Sequence, residues 1–412
     1  MPLATGRRLL FATICAVSVA TSYSAQPILT QIGDDLGISG GELGWIVTAG
    51  QLGYLAGLVL LVPLGDMVDR RRLIVGHLLL TAVGVGIAAT AARGWVMFAG
   101  VAIAGLFAVV VQTTVAYAAA TSAPGERGRT LGIVTSGVVI GILGARIVAG
   151  GLATVWGWRS VYATLAMLLV ALALLTLRLL PADTQTEHAS YRQVLGTSRA
   201  LFGERLFLSR GLIAFFLFAS FGTLWSGLAL PLVAAPWHLS PAQIGLFGIA
   251  GLAGALGAGR AGRWADAGFA NAVTGAALAL LAVSWLATGQ ATWSLWLLAL
   301  GVIVLDFAVQ AVHVSNQHLL TAAHPDRTSG VIGNYMVFYS VGSAVGAIAT
   351  TAVYSIAGWR GSSLLGAAFA LGALAVWASM KARPLLHVSE QAEGRGQRAV
   401  LAEGQEVGLD VG

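Results

Sequence analysis

Long apolar segments occupy most of this chain and limit the kinds of structure that it can form. Each is about as long as the roughly 20 mostly apolar residues that a helix needs to cross a bilayer. Only 10% of the residues are charged, whereas a soluble domain carries about 25%, so most of the surface must face lipid. The segments do not alternate polar and apolar residues, which disfavours a β-barrel. The sequence therefore predicts an all-α membrane protein.

Twelve transmembrane helices can be placed on these segments. We predict them at about residues 9–33, 40–64, 73–92, 94–121, 130–153, 158–180, 207–236, 241–263, 270–288, 292–321, 330–354 and 361–380. The predicted regions are an N-terminal six-helix bundle (1–180), a polar cytoplasmic linker (181–206), a C-terminal six-helix bundle (207–380) and a cytoplasmic tail (381–412). The tail is rich in Glu, Gln, Gly and Arg, so we expect it to be disordered.

The basic residues predict the orientation. Twelve crossings put both termini on one side, and 19 of the 23 Lys and Arg residues, Arg210 among them, fall on that side. The loops on the other side hold only Arg93, Arg159 and Arg360. Because cytoplasmic loops of membrane proteins carry the excess of basic residues, we predict a bacterial inner-membrane protein with both termini in the cytoplasm. The same reasoning assigns the basic charge to topology, and no nucleic-acid partner is expected.

The two halves of the chain share sequence markers. Three markers in the first half recur about 200 residues later, a spacing that indicates an internal repeat. They are the Gly-Trp-Arg turn at 157–159 and 358–360, Arg127 and Arg327, and Asp66 and Asp266. Two parallel six-helix repeats are typical of transporters that rock around a central site.

The loop after the second helix carries a family resemblance. Residues 62–72 read Val-Pro-Leu-Gly-Asp-Met-Val-Asp-Arg-Arg-Arg, which resembles the signature loop Gly-x-Leu-Ala-Asp-x-x-Gly-Arg-Arg of the major facilitator superfamily. Gln26-Pro27 in helix 1 and the glycine-rich helix 5 are similar to the drug-efflux-like proton antiporters (the arabinose-efflux-permease-like branch). Where that branch has Gly-Pro in helix 5, this chain has Ala145-Arg146. The resemblance implies two pseudo-symmetric six-helix bundles, with helices 1, 4, 7 and 10 lining the substrate path.

Two charges lie deep inside predicted spans. They are Asp306, among 17 acidic residues, and Arg146, among 23 basic ones. Such charges are expensive in a bilayer and usually functional. A carboxyl group in an apolar cavity retains its proton more readily, and a nearby cation opposes this, so Asp306 is a candidate proton carrier that Arg146 or a substrate could switch. The alternative is a static contact of Asp306 with Arg146, or with nearby hydroxyls and amides.

Polar residues follow Asp306 along one face of its helix. Gln310, His313 and Gln317 share this face, which should line a central cavity, and His313 is a second candidate proton carrier. Other polar or aromatic cavity candidates are Tyr23, Gln26, Gln112, Trp225, Asn316, Asn334, Tyr335 and Tyr339. For the amides, hydrogen bonds between helices are the alternative role.

Charged loop residues are candidates for a cytoplasmic gate that changes partners between two states. They are Asp66, Arg70, Arg71, Arg72, Arg127, Asp266 and Arg327. The alternative is that these arginines serve orientation alone.

These features predict a secondary active transporter that works by alternating access and exports a small organic solute or drug-like compound in exchange for protons. The alternative is a proton-coupled importer or facilitator of a polar nutrient or metabolite. We expect a monomer in lipid, with no metal and no cofactor. The Gly-x-Gly-x-x-Gly pattern at 257–262 does not indicate a bound dinucleotide, because it lies within a predicted helix rather than after a strand. An enzyme is not expected, since no convergent catalytic set is seen. A receptor would need a signalling domain, for which the tail is too short.

Overall fold

The computed structural model describes residues 5–122, 126–181, 201–258, 263–324 and 328–406. Within these ranges, side chains are not described for Pro63, Asp66, Arg127, Arg129, Ala265, Asp266, Thr328, Ser329 and all residues after 380. Every regular element in the described ranges is helical, as predicted. Most of the predicted linker lies outside the described residues.

We number the helices α1–α12 by membrane crossing. The first half contains α1 (Thr5–Tyr23, the 3₁₀ turn Gln26–Ile28, and Leu29–Leu36), α2 (Gly44–Leu60), α3 (Arg70–Ala89), α4 (Gly94–Phe107 and Val110–Ala120), α5 (Arg127–Trp156) and α6 (Trp158–Leu179). The second half contains α7 (Arg205–Gly227 and Ala229–Val233), α8 (Pro241–Gly245 and Phe247–Gly257), α9 (Ala270–Thr288), α10 (Leu295–Ala323), and the helix Thr328–Glu406, in which α11 precedes Gly358 and α12 follows it.

The helices account for the twelve predicted crossings. In the described part of the chain, 10 helices are long and apolar enough to span a membrane. One of them, Gly330–Met380, has 51 residues and is interrupted at Gly358, so it provides two crossings. The shorter apolar helix Pro241–Gly257 provides the remaining one. The backbone of α12 continues as helix to Glu406, but no side chains are described in the tail, and its disorder stays a prediction.

The repeated Gly-Trp-Arg turns separate the last two helices of each half. Gly157 has φ 78° and Gly358 has φ 60°, and with ψ near 163° and −163° both occupy a backbone region that is essentially restricted to glycine. The indole that follows each glycine is buried and donates a hydrogen bond within its own half. Trp158 donates to Asp35 Oδ2 over 3.1 Å, and Trp359 donates to the Thr288 carbonyl over 2.9 Å.

Glycines also hold the fifth helix of each half against the first. Gly137 and Gly141 of α5 lie on the backbone of α1, and Gly342 and Gly346 of α11 lie on that of α7. A Cβ on Gly141 would lie 2.6 Å from Ala16 Cα, closer than side chains pack. Small residues four positions apart are the usual means by which membrane helices approach this closely. The two halves are therefore built on the same helix contact.

Within the described structure, the two halves contact each other at one end and in the middle of the bundle. We call the end that carries the 61–69 loop, Glu126 and His324 the basic end, and the other the opposite end. At the opposite end Thr351 of α11 accepts a hydrogen bond from Gly44 N over 3.1 Å, and Thr154 of α5 accepts one from Ala242 N over 3.1 Å. Nearer the middle, Thr48 donates to the Ala344 carbonyl over 3.0 Å.

At the basic end, the close contacts of acidic with basic or histidine side chains, among those described, stay within one half. Arg8 pairs with Glu126 in the first half at 2.6 Å, and Glu204 pairs with His324 in the second half, also at 2.6 Å. The first pair joins α1 to the residue directly before α5, and the second joins the residue directly before α7 to the residue directly after α10. These contacts stabilise each bundle without joining it to the other.

The glycine contact provides a stability test. Gly141→Ala should lower the free energy of unfolding by about 1–3 kcal/mol, because the added methyl group would overlap the backbone of α1. Gly151→Ala is the matched control on the same helix, since no atom lies within 4 Å of its added Cβ. Thermal unfolding of both purified variants in detergent measures the difference. Equal melting temperatures would contradict the close contact.

Candidate functional site

Arg146 lies in the middle of α5 and is only 1% exposed. Its Nε donates to Gln26 Oε1 over 2.8 Å, and its Nη1 donates to the Ile142 carbonyl over 3.2 Å. Gln26 occupies this position because α1 passes into a 3₁₀ turn at Gln26–Ile28, where Pro27 lacks the N–H that a continuous helix would use.

Three aromatic rings surround the Arg146 guanidinium. Its central carbon lies 3.6 Å from the ring centroid of Trp225, 5.3 Å from that of Tyr23 and 5.8 Å from that of Phe221. These distances are within the range of cation–π attraction. Tyr23 belongs to the first half, whereas Phe221 and Trp225 are one turn apart on α7. The cation is therefore held between the halves.

Asp306 lies in α10 and is 2% exposed. Its Oδ1 accepts a hydrogen bond from Trp225 Nε1 over 3.3 Å. Its Oδ2 lies against Gly251 of α8, where a Cβ would overlap this oxygen and would lie 2.9 Å from Trp225 Cζ2. Only glycine leaves room for the carboxylate at this point.

Trp225 connects the two charges, which form no direct ion pair in the described structure. The face of the indole lies under the Arg146 guanidinium and its N–H donates to the Asp306 carboxylate. The two charges still attract each other through space. The static direct pair that the sequence left open is therefore absent from this conformation.

One hydrogen-bonding atom of each charge has no partner among the described residues. These atoms are Arg146 Nη2 and Asp306 Oδ2, and both are buried. Buried polar atoms are nearly always hydrogen bonded, so these two atoms, which belong to opposite charges connected by Trp225, are candidates for contact with a ligand or water. A small cavity adjoins Arg146, and its lining is formed by Gln26, Pro27, Arg146, Trp225, Leu228, Ala229 and Ile244.

A second polar cluster joins α10 to α11. His313 Nδ1 lies 3.2 Å from the Tyr335 hydroxyl, and His313 Nε2 lies 3.1 Å from Gln317 Nε2. Tyr339, one turn after Tyr335, shares a hydrogen bond between hydroxyl groups with Tyr23 of α1. His313 is thus bonded within the second half, while Tyr339 connects the two halves close to Arg146.

The other predicted cavity residues make local contacts. Asn334 Nδ2 donates to the Gly330 carbonyl of its own helix over 2.8 Å, and Gln112 Nε2 donates to the Tyr54 hydroxyl of α2 over 2.7 Å. Gln310 is half-buried on α10. None of these three amides contacts Arg146 or Asp306 in the described structure.

Arg210 is a buried cation that the charge pattern grouped with the cytoplasmic residues. It is 4% exposed, and it donates to Asn316 Oδ1 over 3.3 Å and to Asn271 Oδ1 over 2.8 Å. Asn316 therefore connects α10 to α7 rather than facing Asp306. One feature of the sequence could have indicated that Arg210 is buried. It is the sixth residue of α7 and is followed by an apolar run.

The arginines of the 61–72 region hold the first half together. Asp69 caps α3 by accepting from the backbone N–H groups of Arg71 over 2.8 Å and Arg72 over 3.4 Å. Arg70 Nε donates to the Gly65 carbonyl over 3.0 Å, and the Arg71 guanidinium donates to the Leu177 carbonyl of α6. The side chains of Asp66, Arg127 and Asp266 are not described and Arg327 lies outside the described ranges, so the gate stays a prediction.

Two six-helix bundles that enclose opposite charges at their interface define a polytopic membrane transporter. The family model of the Major Facilitator Superfamily matches residues 10–230 and also residues 211–408. The chain belongs to this superfamily, and it is a secondary transporter rather than an enzyme.

Relatives and solved structures agree with this family. The chain is 42% identical to the Escherichia coli protein YgaY, named as a transporter, over 88% of this chain and 92% of that protein. It is 31% identical to SCO4007 of Streptomyces coelicolor, also named as a transporter, over 91% of this chain and 87% of that one. The fold resembles that of a bacterial homologue of the human lysosomal transporter Spinster in an inward-facing, occupied conformation. That similarity has a TM-score of 0.73 and 13% identity, and it covers 92% of this chain and 96% of the other.

The stabilities of Arg146 and Asp306 variants should be coupled although the two residues form no ion pair. Arg146→Gln or Asp306→Asn alone leaves the other charge buried without compensation, which is destabilising. The double variant should lose less stability than the sum of the single variants, by about 0.5–3 kcal/mol. Thermal unfolding of the four proteins measures this coupling.

A matched pair of the same residue types serves as the control. Asp35 and Arg159 form a direct ion pair at the opposite end with side chains 46% and 45% exposed. Asp35→Asn and Arg159→Gln should show little coupling because water screens exposed charges. Additive losses at Arg146 and Asp306 would contradict the electrostatic link.

Proposed function

We propose that this transporter exports a small organic solute in exchange for protons, and that Asp306 carries the proton. The observation that carries this proposal is the buried Asp306 carboxylate, whose Oδ2 has no partner among the described residues. A carboxylate in this position can be neutralised by a proton or by a substrate group. Because it lies between the halves, it can be reached from either side as the bundle rocks.

Trp225 supports the coupling between proton binding and conformation. It contacts Arg146 across the interface and Asp306 within its own half. Protonation of Asp306 removes the negative charge that compensates Arg146, so the contacts between α5, α7 and α10 change in strength. Substrate and proton then exclude one another on the same carboxylate, which is the requirement for exchange.

The closed opposite end supports alternating access. The hydrogen bonds that join the halves, as far as the chain is described, lie at that end or in the middle. With the predicted topology, the conformation is closed to the outside and opens toward the cytoplasm when the bundles separate. The inward-facing solved structure of similar fold is consistent with such a state.

The second candidate function is proton-coupled uptake of a polar nutrient. The cluster of His313, Tyr335 and Gln317 favours it, because these half-buried or buried groups offer hydrogen bonds to a polar solute. The direction of transport distinguishes the two functions, since an exporter depletes its solute from energised cells.

Asp306→Asn should abolish accumulation driven by a pH gradient, and the exchange of solute at equal concentrations that remains should no longer depend on pH. The substituted amide keeps the shape of the carboxylate but cannot bind and release a proton. Proteoliposome flux of a ligand found by thermal-shift screening measures both activities. Asp35→Asn is the matched control and should keep both. Gradient-driven accumulation by Asp306→Asn at the original rate would overturn the proton role.

Thr351→Val should shift the population toward conformations open at the opposite end. Its hydroxyl accepts from Gly44 N and lies 3.1 Å from the Gly41 carbonyl, and each such hydrogen bond contributes about 0.5–1.5 kcal/mol. The neighbouring Thr350→Val is the control, because the Thr350 hydroxyl has no hydrogen bond among the described residues.

Spin-label distances can measure this shift. Cysteines substituted for the exposed Trp95 and Trp293 report on the two halves at the opposite end, and the native Cys15 is buried. Thr351→Val should increase the fraction of long distances, whereas Thr350→Val should not. Unchanged distances in Thr351→Val would show that these bonds do not hold the end closed.

A further inference from the structure

We propose that the substrate is a small zwitterion with an apolar body, of the α-amino-acid type, whose carboxylate binds Arg146 and whose ammonium group binds Asp306. This inference rests on the proposed function, in which substrate and proton alternate on Asp306. It starts from the two unpartnered atoms, Arg146 Nη2 and Asp306 Oδ2. One can donate to a carboxylate and the other can accept from an ammonium group.

In this conformation both Arg146 and Asp306 contact the uncharged indole of Trp225 instead of a group of opposite charge. Its ring face lies 3.6 Å from the guanidinium carbon, and its N–H lies 3.3 Å from Asp306 Oδ1. Hydrogen bonds between ionised groups are stronger than contacts with a neutral indole. A ligand that carries both charges can therefore displace the indole and improve the contacts of both residues.

Charge balance selects a zwitterion over an anion or a cation. Arg146 and Asp306 together have no net charge. While Asp306 is ionised, a ligand with one charge would leave an uncompensated charge in this buried site, which is costly. A zwitterion neutralises both residues and keeps the occupied site neutral while the halves move around it.

The walls of the site predict an apolar ligand body of limited size. Tyr23, Phe221 and Trp225 surround Arg146, and Leu228 and Ile244 line the adjoining cavity. On the α8 side only the absence of a Cβ at Gly251 leaves room beside Asp306. The cavity has a volume of about 10 Å³, which is room for about one water molecule, so a compact ligand with an aromatic or aliphatic side chain enters only when the halves separate.

Three ligands of one shape test the proposal on the purified full-length protein in nanodiscs without a proton gradient. L-Phenylalanine carries both charges, 2-phenylethylamine only the positive charge and 3-phenylpropionate only the negative charge. Equilibrium binding should favour phenylalanine by about tenfold or more over either analogue, because each analogue leaves one buried charge unpaired.

Two variants assign the charges to residues. Arg146→Gln should remove the preference for phenylalanine over 2-phenylethylamine, and Asp306→Asn should remove its preference over 3-phenylpropionate. Asp35→Asn and Arg159→Gln serve as controls, since the exposed Asp35 and Arg159 contact the buried Trp158 in a cluster of the same residue types. Both controls should keep the original preferences.

The outcomes separate the substrate class from the proton role. Equal binding of phenylalanine and either analogue to the unsubstituted protein, or binding of none of the three, would overturn the zwitterion proposal even if a variant fails to fold. If phenylalanine binds as expected but its flux ignores a pH gradient, the substrate class stands and the proton exchange fails. If another solute shows gradient-driven flux while the three ligands do not bind, the proton exchange stands and the substrate class fails.

Discussion

Burying opposite charges in an apolar bundle is costly unless each charge has a favourable partner. At the interface between the two halves, Trp225 is a partner of both charges. Its ring attracts Arg146 of the first half, and its N–H donates to Asp306 of the second half. The compensation is incomplete, since one atom of each charge lacks a partner within the described structure. An arrangement that is satisfied only in part can respond to a proton or a ligand, whereas a direct ion pair would resist both.

The helix packing places these charges together. Gly141 lets α5 lie on the backbone of α1, which brings Arg146 next to Gln26 at the 3₁₀ turn. Gly251 lets α8 approach Asp306 without covering it with a side chain. The same glycine contact between the fifth and first helices recurs in the second half. The described contacts there include no equivalent of the hydrogen bond from Arg146 to Gln26. The repeat thus provides the scaffold, and departures from it provide the site.

Part of this site is predictable from the sequence, because a charge in a long apolar run is easy to recognise. Arg146, Asp306, Tyr23, Gln26 and Trp225 were all candidates, and the structure brings them together. The sequence did not identify Phe221 or Gly251, because aromatic residues and glycines occur throughout membrane helices and only their contacts distinguish them. It also grouped Arg210 with the cytoplasmic residues, although Asn271 and Asn316 bind it inside the second half.

The sequence by itself determined the helical membrane class, the twelve crossings and the division into two repeats. These follow from constraints that act along the chain: lipid requires apolar helices, and the turns at Gly157 and Gly358 require backbone angles that favour glycine. Only the tertiary structure decided that Arg146 and Asp306 meet through Trp225 and that the described contacts between the halves lie in the middle and at the end opposite the 61–69 loop. Those features depend on which faces of distant helices pack together, and no local pattern in the sequence specifies that packing.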